Sequence, residues 1–338
     1  MKKIKHELKD NQRVGNLALS ARPTGRLTMA IIGCIAALIH TAGAGGGNSR
    51  GFDPCVRTAR FVYFSDLAAA RSDYNLALAK ANNEPTADQR REAKIEAGDD
   101  YRDAVSGAKE QFRARRDLCH DLGEDRYNPV IDPADFLSVE EIAANPNPLF
   151  PLIPGTTTNY RSKTDEGTET VAVTVTKETR EILGVTCLVI RDTVRLDGEI
   201  TEDTEDWYAQ DSSGNVWYFG ENTAEYEDGL IVSIDGGWEA GIDGAKPGIV
   251  MFAQPVVGQT YRQELLYGEA EDAAIVISLN ETITVPAGTY SQCLQTEDFT
   301  PIEPGVREFK YYAPGVGNVL TIDLETGKRS ELVSIETE

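Results

Sequence analysis

An α+β fold is expected: an N-terminal antiparallel helical hairpin, then an all-β antiparallel domain, a duplicated meander forming a curved sheet or an open barrel or sandwich. Three observations predict it. Residues 54 to 122 carry long stretches rich in Ala, Leu, Arg and Glu. Beyond Pro154 the chain changes to strings rich in Val, Ile, Thr and Tyr, broken by Gly, Pro and Asn at short intervals. This second region also matches itself.

The first element is a leader. A basic stretch from Met1 to Arg26 precedes the apolar run LTMAIIGCIAALI, Leu27 to Ile39, and the small residues Ala42-Gly43-Ala44 follow as the cleavage site. The run is too short for a transmembrane helix, which needs about 20 apolar residues, so residues 1–44 read as a secretory signal peptide. A competing reading takes Ile31-Ile32-Gly33-Cys34 as a lipobox, with Cys34 as a lipid anchor. Either way the protein is extracytoplasmic, periplasmic or secreted, with no membrane span.

Removing the leader takes away seven basic and two acidic residues, so the formal net charge moves from −22 to −27. Such a surface repels nucleic acid. The only histidine left is His120, which argues against zinc and Ser–His–Asp chemistry alike. Four cysteines remain, Cys55, Cys119, Cys187 and Cys293, and an even count in an exported chain points to disulfides.

The helical hairpin occupies 45–122. Its first arm, VRTARFVYFSDLAAARSDYNLALAKA, lacks Gly and Pro and stops at Asn82-Asn83-Glu84-Pro85. Thr86 and Gln89 then form a capping-box pattern that opens the second arm. The arms are of comparable length, so Cys55 and Cys119 meet at the open end and are expected to bond. The proline-bearing stretch 123–150 reads as a linker with one short helix near Val139–Ala144.

In the β domain, 151–338, the repeats cover about 151–221 and 254–323. GVTCLVIRDTV matches GTYSQCLQTEDFT, each with Cys-Leu and an Asp five positions after the Cys: Asp192 and Asp298. Tyr208-Ala209 with Gly214-Asn215-Val216 matches Tyr312-Ala313 with Gly317-Asn318-Val319, and GTTTNYR matches GQTYR. Cys187 and Cys293 hold equivalent positions, and a bridge between them across a pseudo-twofold axis is expected.

The runs TVPAGTYSQC, EFKYYAPGVGNV and DWYAQDSSGNVWYFGE resemble blocks of secreted and lipoprotein-type bacterial β-proteins of unknown function. The resemblance covers about 148–330, leaves out the hairpin, and implies an extracytoplasmic curved sheet with no assigned active site.

DWYAQDSSGNVWYFGE holds two of the three tryptophans and reads as a hairpin turning at Ser213-Gly214, with Trp207 opposite Gly220 and Tyr208 opposite Phe219. The second repeat has Leu320, Thr321 and Ile322 in place of Trp217, Tyr218 and Phe219, so the skeleton does not require aromatics there. Packing beneath the Gly-rich loop 236–252 would explain them. A ligand site would explain them too: Trp207, Trp217, Tyr218, Trp238, Glu221, Glu239 and Asp243 could line an aromatic and acidic recess for a small molecule, a glycan or an envelope protein. The expected role is non-catalytic binding. The alternatives are a glycosidase-like hydrolase using Glu221 and Glu239, and a purely structural envelope protein. No cofactor motif is present. Loosely bound calcium among Glu202, Asp203, Glu205, Asp206 and Asp228 is the one metal reading, since Asp211 to Asn215 lacks the ligand pattern of an EF-hand.

Overall fold

A computed structural model describes residues 53–123 and 126–337. The expected leader, its expected cleavage site and Cys34 lie outside the described residues. Helix α1 spans Pro54–Asn82 and α2 spans Ala87–Leu122. Asp53 caps α1 by accepting from the amides of Cys55 and Val56. The Thr86 hydroxyl accepts from the Gln89 amide at 3.2 Å while the Gln89 side chain accepts from the Thr86 amide at 3.1 Å. That capping box satisfies two donors that the start of α2 would otherwise leave orphaned. Gly123, in a left-handed conformation, ends α2. Cys55 and Cys119 are bonded and close the open end. Among the described residues no helix is long and apolar enough to cross a membrane.

The cysteine end of the hairpin is seated on the β region. Arg115 of α2 is 2% exposed and donates through Nε and Nη2 to the fully buried Glu271 at 2.7–3.0 Å. Asp66 of α1 shares the guanidinium at 3.3 Å. Gln111 donates to the Ile302 carbonyl. Residues 126–150 are more than a connector. They contain α3, Val139–Ala144, capped by a second capping box from Ser138 and Glu141. Phe136 and Phe150 pack against the sheet.

The sheet has fifteen strands. The first five are β1 Thr156–Lys163, β2 Thr168–Ile182, β3 Val185–Leu196, β4 Glu199–Gln210 and β5 Val216–Glu227. A middle group follows: β6 Leu230–Ser233, β7 Trp238–Glu239, β8 Lys246–Met251, β9 Thr260–Arg262 and β10 Glu264–Leu265. The last are β11 Ala273–Val285, β12 Gly288–Phe299, β13 Arg307–Ala313, β14 Gly317–Asp323 and β15 Arg329–Thr337. The order across the sheet is β10-β8-β5-β4-β3-β2-β1-β15-β14-β13-β12-β11-β9, with β6 and β7 also on β5. All pairings are antiparallel, as expected of strands joined mostly by short turns.

No ladder joins the two end strands, so the sheet is open. Yet β9 and β10 are consecutive in the chain, separated only by Gln263. The sheet therefore curls until its two ends meet through a covalent link, and one face becomes an interior. The matched segments correspond strand for strand: β2 to β5 in the first, β11 to β14 in the second, meeting at the β1–β15 seam.

That topology corrects the second disulfide. Cys187 on β3 and Cys293 on β12 are free, buried thiols. Their strands are separated by β2, β1, β15, β14 and β13. The halves join through a shared seam, so equivalent positions near the middle of each half are held apart.

Candidate functional site

Strand registers decide which side chains face inward. Along β3, β4 and β5 the facing rows are Leu188–Tyr208–Tyr218, Ile190–Asp206–Glu221, Asp192–Thr204–Thr223 and Val194–Glu202–Glu225. Directly opposed residues of antiparallel strands share a face, so Asp192, Glu202, Asp206 and Glu221 lie on one side with Tyr208 and Tyr218. Tyr160, which faces Val171 on β2 and donates to the Asn318 carbonyl at 3.0 Å, belongs to the same lining. In the second half Asp298, Glu308, Lys310 and Tyr312 occupy the corresponding face. Glu264 and Asp272, at the junction of the sheet ends, link the two sets.

This interior is acidic and largely buried. Asp192 is 1% exposed, Asp206 2% and Asp298 1%, while Glu202 and Glu221 are half-buried and form a more open margin. Burial pushes the Asp206 carboxyl up to about 7, opposed by the hydroxyl hydrogen bonds it receives from Tyr218, at 2.7 Å, and Tyr208. Burial likewise raises Glu202 to about 7, and lifts Glu221 well above the usual carboxylate range with help from the Asp206 charge. Asp272 rises to about 7 by burial, with the Lys310 ammonium holding it down. Asp192 rises by burial first, and then by repulsion from Asp206, Glu202, Asp203 and Glu221.

Neither oxygen of Asp192 accepts a hydrogen bond from the protein. The Ser162 and Ser330 hydroxyls and Asn318 Oδ1 on the same lining are also unpaired. A buried acceptor left unsatisfied costs on the order of 1–3 kcal/mol, and a charged one more.

The residues expected to form one recess are divided between the faces. Tyr218 and Trp238 lie inward. Tyr218 stacks on Tyr208 with centroids 4.7 Å apart, and the Trp238 ring meets Tyr218 edge-on at 5.3 Å. Glu221 pairs with Trp238 and Gly220 with Glu239 across β5 and β7. Glu221 therefore points in and Glu239 out, so the nominated hydrolytic pair cannot flank one bond. Trp207 lies on the outer face, 3% exposed, beneath the Arg180 guanidinium 4.1 Å from its ring centroid, and Arg180 pairs with Glu239. Trp217 also faces outward, against Phe136, and its indole N–H donates to Asp211 at 2.9 Å. Asp243 is exposed in a left-handed turn. The exposed aromatic platform that a glycan would need is absent among the described residues of this region.

One register differs from expectation. Trp207 does face Gly220, but a bulge follows, so Tyr208 faces Tyr218 rather than Phe219. The extra residue, Phe219, is fully buried against Phe136. Gly220 has φ +137°, and a Cβ there would collide with the Trp238 carbonyl oxygen. The glycine is thus what lets β7 approach. The turn itself is held by Asp211, which accepts from the Ser213 and Asn215 amides, the Asn215 side chain and Trp217. Those donors use the oxygens that a cation would need. The acids grouped for calcium also divide: Glu202 and Asp206 face in, Asp203 pairs outside with Arg191, and Asp228 is exposed in a turn. Among the described residues no three His, Cys, Asp or Glu side chains are arranged to hold a metal ion.

Asp298, Glu264, Asp272 and Lys310 were not singled out as site residues from the sequence. Asp192 and Asp298 carried a signal, the Cys-to-Asp spacing shared by the repeats.

No family model and no curated protein matches the chain. Two solved structures show limited likeness. One is titled a "putative lipoprotein" from Parabacteroides distasonis, at 13% identity and TM-score 0.31, covering 56% of this chain and 98% of its own. The other is a β-barrel-like protein of the domain of unknown function DUF1849 from Brucella abortus, at 11% identity and TM-score 0.29, covering 54% and 97%. At TM-scores this low neither likeness bears on what this chain does.

Proposed function

We propose that this protein is an extracytoplasmic, non-catalytic binding protein that holds a small molecule inside its curled sheet. The observation that carries the reading is Asp192: a carboxylate 1% exposed, surrounded by further carboxylates, with no donor for either oxygen. A ligand that supplies donors would recover hydrogen bonds that the protein alone does not make. Glu202 and Glu221, half-buried on the same face, are the acids of this set nearest to solvent. The Cys55–Cys119 disulfide supports an oxidising compartment. The burial of Trp207 and Trp238 favours a small molecule over a glycan or protein laid across an aromatic surface.

The test is native mass spectrometry of the chain purified from its own envelope without reducing agent. An adduct that is lost on denaturation, and depleted in Asp192→Asn, is the expected result. A clean mass for the gently purified wild type would refute the reading.

A further inference from the structure

The two halves treat the same position differently. Asp192 and Asp298 each follow their cysteine by five residues, on β3 and β12. On the adjoining strand, two residues before each Tyr-Ala pair, the first half has Asp206 and the second has Lys310. The ladders show that these are equivalent in space as well. Asp206 faces Ile190 and Lys310 faces Thr296, each the third residue after the cysteine.

In the second half Lys310, whose side chain is 1% exposed, places its Nζ 3.2 Å from Asp298 and 3.7 Å from Glu308. A buried carboxylate there is offset by an ammonium that the chain itself provides. In the first half the same location carries a further acid, and Thr204 stands where the second half has Glu308.

We propose that the first half of the interior binds a primary ammonium group carried by a ligand, seated against Asp192 and Asp206 where the second half holds the Lys310 ammonium. This inference rests on the interior being a binding chamber, and it names the chemical class the chamber takes. A primary ammonium has three donors and no acceptor. It matches the two unpaired oxygens of Asp192, with the Asp206 carboxylate, already held by Tyr218 and Tyr208, alongside as a second negative charge. A quaternary ammonium has no N–H, and would leave Asp192 unsatisfied. It would also need open aromatic faces, whereas Tyr208 and Tyr218 stack on each other, with Phe150 against Tyr208 and Trp238 against Tyr218. A metal ion would need ligands that converge, and these do not. An alkyl chain on the ammonium would run toward Glu202 and Glu221, which gives a diamine a place for its second charge.

The test is isothermal titration of the disulfide-intact chain with n-butylammonium, 1,4-diaminobutane, tetramethylammonium and calcium as separate probes. Saturable binding of the two primary amines is expected, weakened about tenfold or more in Asp192→Asn, as for loss of a charge-assisted hydrogen bond. Tetramethylammonium and calcium should give no saturable heat at the same concentrations. Asp206→Lys should install the arrangement of the second half, abolishing amine binding while leaving the melting temperature equal to wild type or higher. If Asp206→Lys does not fold, Asp192→Asn still decides.

Amine binding that Asp192→Asn does not weaken overturns the proposal. So does tetramethylammonium or calcium binding as tightly as the amines; if that binding is lost in Asp192→Asn, the chamber stands and only the ligand class falls. Where no probe binds, the ammonium proposal falls, and the envelope-purified mass decides the chamber separately.

Discussion

Raising the pH from 5 to 7 should destabilise the ligand-free protein, because its interior carboxylates prefer to be protonated. Asp206 gives the clearest magnitude. It is 2% exposed, and burial moves it from 3.8 to about 7. In the unfolded chain the group is ionised above pH 4, whereas in the fold it keeps its proton to about pH 7. The folded state thus binds more protons between those values. The stabilisation is complete below the unfolded pKa and is lost as pH rises through the folded one. One proton is worth about 1.4 kcal/mol per pH unit, and the folded group is itself half ionised by pH 7, so Asp206 alone accounts for about 2 kcal/mol between pH 5 and 7. Glu202 and Asp272, also raised to about 7, act in the same direction, though mutual repulsion keeps their contributions from simply adding. Ordinary carboxylates finish titrating below this window. Guanidinium unfolding at pH 5, 6, 7 and 8, under non-reducing conditions, measures the slope directly. Asp206→Asn should flatten it by about one proton. Stability that stays level or rises from pH 5 to 7, or a slope unchanged in Asp206→Asn, would refute the reasoning.

Two further outcomes follow from the packing. Gly220→Ala places a methyl against the Trp238 carbonyl at a φ that L-residues avoid, and should cost about 2–4 kcal/mol in chemical denaturation; Gly229→Ala, a positive-φ site with open space, should cost about 1 kcal/mol and serves as the control. Alkylating the oxidised protein should label neither Cys187 nor Cys293 in the native state and both after denaturation, while Cys55 and Cys119 react only after reduction; peptide mapping that finds Cys187 joined to Cys293 would contradict the strand order.

The sequence by itself determined what local chemistry encodes. Hydrophobic periodicity separated helices from strands, and Thr86 with Gln89 set the start of α2. Arm lengths on either side of that turn brought Cys55 to Cys119, because a hairpin is a short-range object whose geometry follows from counting residues. The repeat was legible too, since residues that do the same local job recur in the same order. Only the tertiary structure decided which side of each strand became an interior. Glu221 and Glu239 looked like partners, but pairing through Gly220 sends them to opposite faces. Asp206 was grouped with neighbouring acids as a loose calcium site, and it is buried because the sheet curls until β9 and β10 meet at Gln263. Cys187 and Cys293 are equivalent in the repeat yet separated by the seam that joins the halves. The physical reason is common to all three. Alternation says that neighbouring side chains point to opposite faces, but register, bulges and closure are set by contacts between strands distant in the chain.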